Sequence, residues 1–137
     1  MPVITPLVAA GSILAYDLRC EALTNPLAVQ TSAPVLSWKL KATKKAAKNL
    51  RQGAYRVLVA SSPRLLKNDK GDLWDSGKVA EAASFGIAYK GSQLASRTKC
   101  WWKVKVWDQD GKGSAWSNVA SFGIGLDKAD WKAEWIH

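Results

Sequence analysis

One stretch constrains the fold of this chain more than any other: Cys100-Trp101-Trp102-Lys103-Val104-Lys105-Val106-Trp107-Asp108. It alternates with period two, which is the pattern of a half-buried β-strand. Trp102, Val104 and Val106 fall on one face, which is apolar and rich in β-branched residues, so this face is assigned to a core. Trp101, Lys103, Lys105 and Trp107 fall on the other. Side chains two apart on a strand lie side by side, so lysine stems can rest on the neighbouring indoles there. The following Asp108-Gln109-Asp110-Gly111-Lys112-Gly113 is a turn signal. Residues 115–125 then read as the returning strand of a hairpin, with Ala120, Phe122 and Ile124 on one face.

The rest of the chain must supply the opposite half of the core. Residues 17–23 read as a first strand, Leu18 and Cys20 inward, Arg19 and Glu21 outward. Thr24-Asn25-Pro26 breaks it, because proline removes a donor and restricts its neighbour, and Leu27-Ala28-Val29 adds an extended piece. Residues 35–42 place Leu36, Trp38 and Leu40 inward. Residues 54–61 place Tyr55, Val57 and Val59 on one face and Arg56, Leu58 and Ala60 on the other, a strand covered on both sides. Ser62-Pro63 is a helix start, serine as N-cap and proline in the first turn, with Leu65 and Leu66 packing the turn down and Gly71 ending it. Residues 73–77 read as a short edge strand, and residues 84–89 as another strand with Phe85, Ile87 and Tyr89 on one side. About seven short strands with no long helical pattern predict an all-β sandwich of immunoglobulin-like or fibronectin type III-like kind. Trp38 and Trp102 are expected to be buried and to face each other across it. The domain reading is an apolar leader at 1–16, a sandwich at 17–126, and a linker at 127–137 toward a following domain.

Composition decides what such a sandwich can do. An apolar content of 47% with eight tryptophans in 137 residues excludes disorder. A net charge of +9 fits nucleic acid, a membrane surface or an acidic glycan as a partner. Most of the excess lies in one segment, where Lys39, Lys41, Lys44, Lys45, Lys48 and Arg51 occur without an acid. A solvated basic loop is the reading preferred for it, with weak attraction to polyanions and no specific nucleic-acid recognition. Residues 1–16 carry no charge but are broken by Pro2, Pro6 and Gly11, too short for a membrane span and lacking the basic start of a signal peptide. Cys20 and Cys100 read as free buried thiols, with a disulfide as the alternative. The compartment stays open, periplasm or exterior being favoured over cytoplasm.

Glycoside hydrolysis needs two carboxyl groups facing each other about 5–10 Å apart. Asp72, Asp75, Asp108 and Asp110 are the obvious acids, and all lie in or beside glycine turns, where aspartate bonds to local backbone. The lone histidine is His137, so no Ser/His/Asp set or zinc cluster can form, and Asp108-x-Asp110-Gly111 lacks the later ligands of a calcium loop. No catalytic, cofactor-binding or metal-ligating residue is assigned, and no cofactor is expected. Trp101 and Trp107, beside their lysines, are the candidates for contact with a sugar or a base, against an outer ladder that needs no ligand.

Several pieces, taken in order, are similar to the N-terminal module of bacterial family 78 α-L-rhamnosidases. They include Pro34-Val-Leu-Ser-Trp-Lys-Leu40, Ala54-Tyr-Arg-Val-Leu-Val-Ala-Ser-Ser62, Gly71-Asp-Leu-Trp-Asp-Ser-Gly-Lys-Val79, Trp101-Trp-Lys-Val-Lys-Val-Trp-Asp108 and Ala129-Asp-Trp-Lys-Ala-Glu-Trp-Ile136. The resemblance implies a fibronectin type III-like module, non-catalytic and structural, that precedes the rest of an inverting glycoside hydrolase. It implies that the chemistry resides in an (α/α)₆ barrel absent from these residues, and that the following domains of the parent enzyme are the partners. An independent carbohydrate- or polyanion-binding module is the alternative. Cys100 stands where the resemblance leads one to expect a tyrosine, so a corner hydrogen bond from that ring would be missing.

Overall fold

The structure is a computed structural model and describes residues 13–31, 33–43 and 51–125. Trp131, Trp135 and Ile136 of the expected linker, and Lys44, Lys45 and Lys48 of the basic segment, lie outside the described residues. Two antiparallel sheets face each other. One has the order β1 (Ile13–Cys20), β2 (Val35–Ala42), β5 (Ile87–Ala88). The other has the order β4 (Trp74–Asp75), β3 (Gln52–Ala60), β6 (Lys99–Asp108), β7 (Ala120–Gly123). A single turn of helix, α1 (Pro63–Lys67), follows β3. Ser62 caps it by accepting the Leu65 N–H, and Pro63 opens it. This is the expected all-β, immunoglobulin-like sandwich, with seven strands among the described residues.

The inward faces build one core. β6 contributes Trp102, Val104 and Val106, each fully buried, and β3 contributes Tyr55, Val57 and Val59. β3 and β6 run antiparallel with Val57 opposite Val104 and Val59 opposite Trp102. The other sheet answers with Ile13, Ala15, Leu18, Cys20, Leu36, Trp38 and Ile87. Trp38 and Trp102 are therefore buried in one core from opposite sheets. The aromatic partner of Trp38 is Tyr55, edge-on at 5.3 Å between centroids. Its indole N–H donates to Gln52 Oε1 at 2.9 Å, and the Gln52 amide donates in turn to the carbonyls of Glu81 and Ala83. A buried polar side chain is tolerable when bonded in this way.

Three strands differ from the sequence reading. β1 begins at Ile13, four residues before the strand expected at 17, and ends at Cys20 where Glu21 and Ala22 take positive φ. A β-bulge between Tyr16 and Arg19 explains the miss. Ile13 and Ala15 point inward before it and Leu18 and Cys20 after it, so the alternation slips by one residue, as an inserted residue requires. The strand expected at 84–89 shrinks to Ile87–Ala88. Gly86 has φ of +68°, and Phe85 is turned out with 73% of its surface exposed, while Ile87 and Tyr89 are buried as expected. Tyr89 is anchored by its hydroxyl, which donates to the Ser92 carbonyl at 2.6 Å.

The third difference lies after the turn. Only Ala120–Gly123 pairs as a regular strand with β6. Upstream, serine hydroxyls stand in for backbone acceptors. Val106 N–H donates to Ser114 Oγ and Val104 N–H to Ser117 Oγ, both at 3.0 Å, and each hydroxyl donates onward to the next carbonyl. β7 is flanked on its free side by residues 25–29. Ser121 N–H donates to Asn25 Oδ1, Gly123 N–H to the Pro26 carbonyl, and Val29 N–H to the Gly123 carbonyl. Backbone approaches so closely here that a Cβ on Gly123 would meet the Leu27 carbonyl oxygen at 2.2 Å, which only glycine permits.

Candidate functional site

The aspartates singled out by sequence do not converge. Asp72 accepts from the Ser61 N–H and hydroxyl at 2.8 and 2.6 Å. Asp108 is buried, and its Oδ1 accepts from the Asp110 and Lys112 N–H groups, closing the turn. Asp75 takes a two-pronged bond from Arg56 at 2.9 and 2.7 Å and accepts from Gly77 N–H. The Arg56 guanidinium holds this carboxyl below the usual carboxylate range. A depressed acid stabilises the fold above its unfolded pKa and loses that contribution as pH falls through the folded one, so the pair is intact at neutral pH. Each of these three carboxylates is engaged in holding a turn or an edge strand. Asp110 is exposed at the tip of the turn.

Cys20 and Cys100 are both free and buried in the core. Burial pushes both thiols up to about 12, so neither is a thiolate near neutrality and neither is a nucleophile.

The outer face of the four-stranded sheet gathers the remaining chemistry. Trp107 has two ammonium groups beside it, Lys78 at 4.8 Å and Lys105 at 5.4 Å from the ring centroid. Trp116, on the segment that returns from the turn, has Lys103 at 4.6 Å and Arg56 at 5.8 Å. Trp101 has Lys99 at 5.3 Å. The lysines of β6 do rest on indoles, as its alternation predicts, but Lys103 chooses Trp116 rather than its strand neighbours. This face is also partly covered. Leu58, Ala60 and Leu66 form a second small core beneath α1, with Trp101 and Trp116 packed against it. Lys103 is only 7% exposed, and its ammonium donates to the Leu66 carbonyl at 2.7 Å and pairs with Asp69 at 2.5 Å. Sequence singled out neither Trp116 nor Asp69, because both lie in irregular segments where no periodicity reports orientation.

An immunoglobulin-like β-sandwich in which Asp72, Asp75 and Asp108 are engaged locally and Asp110 is solvated, and whose outer face is cationic and aromatic, has the form of an accessory module. The chain matches the family described as "Rha78A-like, N-terminal immunoglobulin domain" over residues 15–128, and it belongs to that family. It is 45% identical over 117 residues to an α-L-rhamnosidase of Formosa agariphila, a match that covers 85% of this chain and 12% of that protein. An α-L-rhamnosidase of an Alteromonas species is 40% identical over 118 residues, with the same coverage. Among solved structures, the α-L-rhamnosidase from Dictyoglumus thermophilum superposes with a TM-score of 0.79 at 40% identity, covering 88% of this chain and 13% of that one. The Streptomyces avermitilis α-L-rhamnosidase complexed with L-rhamnose gives 0.78 at 37% identity, covering 89% and 12%. The chain thus spans about an eighth of the length of the curated relatives that it matches. Among the described residues, no helix is long and apolar enough to cross a membrane.

Proposed function

We propose that this chain is a non-catalytic structural module of an α-L-rhamnosidase-like glycoside hydrolase, holding or spacing the domains that carry out the chemistry. The observation that carries the reading is the coverage: the match spans 85% of this chain but only 12% of its Formosa relative, and the family described is an N-terminal domain. The engagement of Asp72, Asp75 and Asp108 in turns and an edge strand supports assigning no catalytic, cofactor or metal residue here. The partners are the following domains of the parent enzyme. The test is direct. The pure 137-residue chain is expected to release no nitrophenol from an aryl α-L-rhamnoside. Steady release that disappears when Asp72, Asp75 or Asp108 is changed to asparagine would overturn the reading.

The proposed division of the chain is a leader, shortened from 1–16 because β1 begins at Ile13, a sandwich to 126, and a linker at 127–137. Gly123 and Ile124 already close the second sheet against Val29, which supports a sandwich complete without the linker. Leaving large apolar side chains in water forgoes about 1.5–3 kcal/mol each, so Trp131, Trp135 and Ile136 are assigned to an interdomain contact. Deleting residues 129–137 is expected to leave the melting temperature nearly unchanged. Unfolding of the sandwich on deletion would place these residues in its own core instead.

A further inference from the structure

We propose that the outer face of the four-stranded sheet is a binding track for an acidic polysaccharide, a role that goes beyond spacing domains. Four side chains of β6 point to this face in a row, Trp101, Lys103, Lys105 and Trp107; α1 covers Lys103 and packs against Trp101, so Lys105 and Trp107 form the open end. Arg56 lies directly opposite Lys105 in the β3–β6 register. Lys78 and Lys105 converge on one indole, at 4.8 and 5.4 Å. Among the described residues neither has an acidic partner. Two like charges gathered on one ring without a counter-ion repel each other, and an anionic group bound beside them relieves that repulsion.

The track continues past Trp116 into a groove of about 480 Å³ between α1 and the segment at 117–119. Arg64 and Lys67 line this groove and also lack acidic partners among the described residues. Among the described residues, Asp75 is already taken by Arg56 and Asp69 by Lys103. What remains for a ligand is positive charge repeated along the face at Lys78, Lys105, Arg64 and Lys67. The array is also held in place. A Cβ on Gly113 would meet Trp107 Nε1 at 2.9 Å and Lys105 Cε at 3.1 Å, so the indole and the lysine stem are seated on that glycine.

The geometry selects among polyanions. Sequence-tolerant binding of single-stranded nucleic acid relies on bare aromatic faces that take the bases. Trp107 and Trp116 each already have two of the protein's own cations beside the ring, so neither is a bare platform for a base. Binding therefore rests on charge along a strand of repeating anions, with carboxylates or sulfates as the groups recognised. Such binding is strongly salt-dependent and discriminates against neutral chains.

Polygalacturonate is a suitable probe, with neutral dextran as its control and single-stranded oligothymidylate as the nucleic-acid comparison. Affinity electrophoresis or calorimetry on the whole chain is expected to show binding of polygalacturonate at 50 mM salt, lost by 500 mM, and none of dextran. The Lys78→Gln/Lys105→Gln variant is expected to bind about tenfold more weakly at unchanged melting temperature. Lys78→Arg/Lys105→Arg is expected to restore binding. Changing Lys44, Lys45 and Lys48 of the basic segment to glutamine is expected to matter less than the pair on the face. Wild-type affinity in the Lys78→Gln/Lys105→Gln variant, equal binding of dextran, tighter binding of the oligonucleotide, or a loss confined to the basic-segment variant would each overturn the proposal.

Discussion

Trp102→Ala is expected to lower stability by about 3–5 kcal/mol, while Trp102→Phe costs about 1 kcal/mol or less. The difference has a physical origin. Trp102 is fully buried at the centre of β6, paired with Val59 on one side and Ala120 on the other. Truncation to alanine removes the largest fully buried side chain among the described residues and leaves a cavity that rigid strands on both sides cannot close. Its indole N–H, however, has no hydrogen-bond partner. A buried donor without a partner costs about 1–3 kcal/mol, so phenylalanine sheds a penalty while giving up part of the ring. Trp38 is the internal control. Its N–H is bonded to Gln52, and Trp38→Phe would strand the Gln52 oxygen in the core. Trp38→Phe is thus expected to cost more than Trp102→Phe, although the two changes are chemically identical. Urea unfolding of the variants gives the comparison. If Trp102→Phe proves as harmful as Trp102→Ala, the indole N–H is satisfied, and shape rather than polarity governs this position.

The same physics explains what the sequence could report. Val57, Val59, Trp102, Val104 and Val106 were legible because period-two alternation maps directly onto the two faces of a regular strand. Ile13 and Ala15 were not, since the bulge at Tyr16/Arg19 breaks the alternation, and a reader following the pattern from Leu18 backward loses the strand. Residues 115–119 looked like strand because they hold alternate small and apolar residues. Ser114 and Ser117 donate to β6 through their backbone N–H groups but accept from it with their hydroxyls, a substitution that hydrophobic pattern cannot reveal. The outer face was half legible. The interleaving of rings and ammonium groups on β6 announced cation–π contacts, but which ring each lysine takes depends on Trp116, Lys78 and Arg56, brought in by tertiary folding. The burial of Lys103 was invisible for the same reason, because its cover is α1 from a different part of the chain.

Asp69→Asn is expected to destabilise the domain by about 2–3 kcal/mol, and Lys103→Met by about 1 kcal/mol or less, although Lys103 is the buried member of the pair. The side chain of Lys103 is 8% exposed and that of Asp69 57% exposed. Removing the acid leaves an ammonium group beneath α1 without its counter-ion, and an unpaired buried charge is the costly outcome of breaking such a pair. The loss stops short of the full 3–5 kcal/mol range for a stranded charge, because the asparagine oxygen can still accept a hydrogen bond and the Leu66 carbonyl and Trp116 ring still face the ammonium. Asp69 has φ of 56°, a conformation that asparagine also tolerates, so backbone strain does not confound the change. Removing the lysine has the opposite balance. Methionine keeps the apolar stem against Trp116, Asp69 is already half in water and regains its hydration, and the Leu66 carbonyl still accepts the Asp69 N–H at 2.8 Å. The buried charge and its desolvation cost both disappear. The double variant Lys103→Met/Asp69→Asn is accordingly expected to be more stable than Asp69→Asn alone, a rescue that additive contributions could not produce. Thermal and urea unfolding of the three variants decide the matter. If Lys103→Met is as damaging as Asp69→Asn, the ion pair is itself a net source of stability, and the ammonium is the anchor that fixes α1 to the sheet.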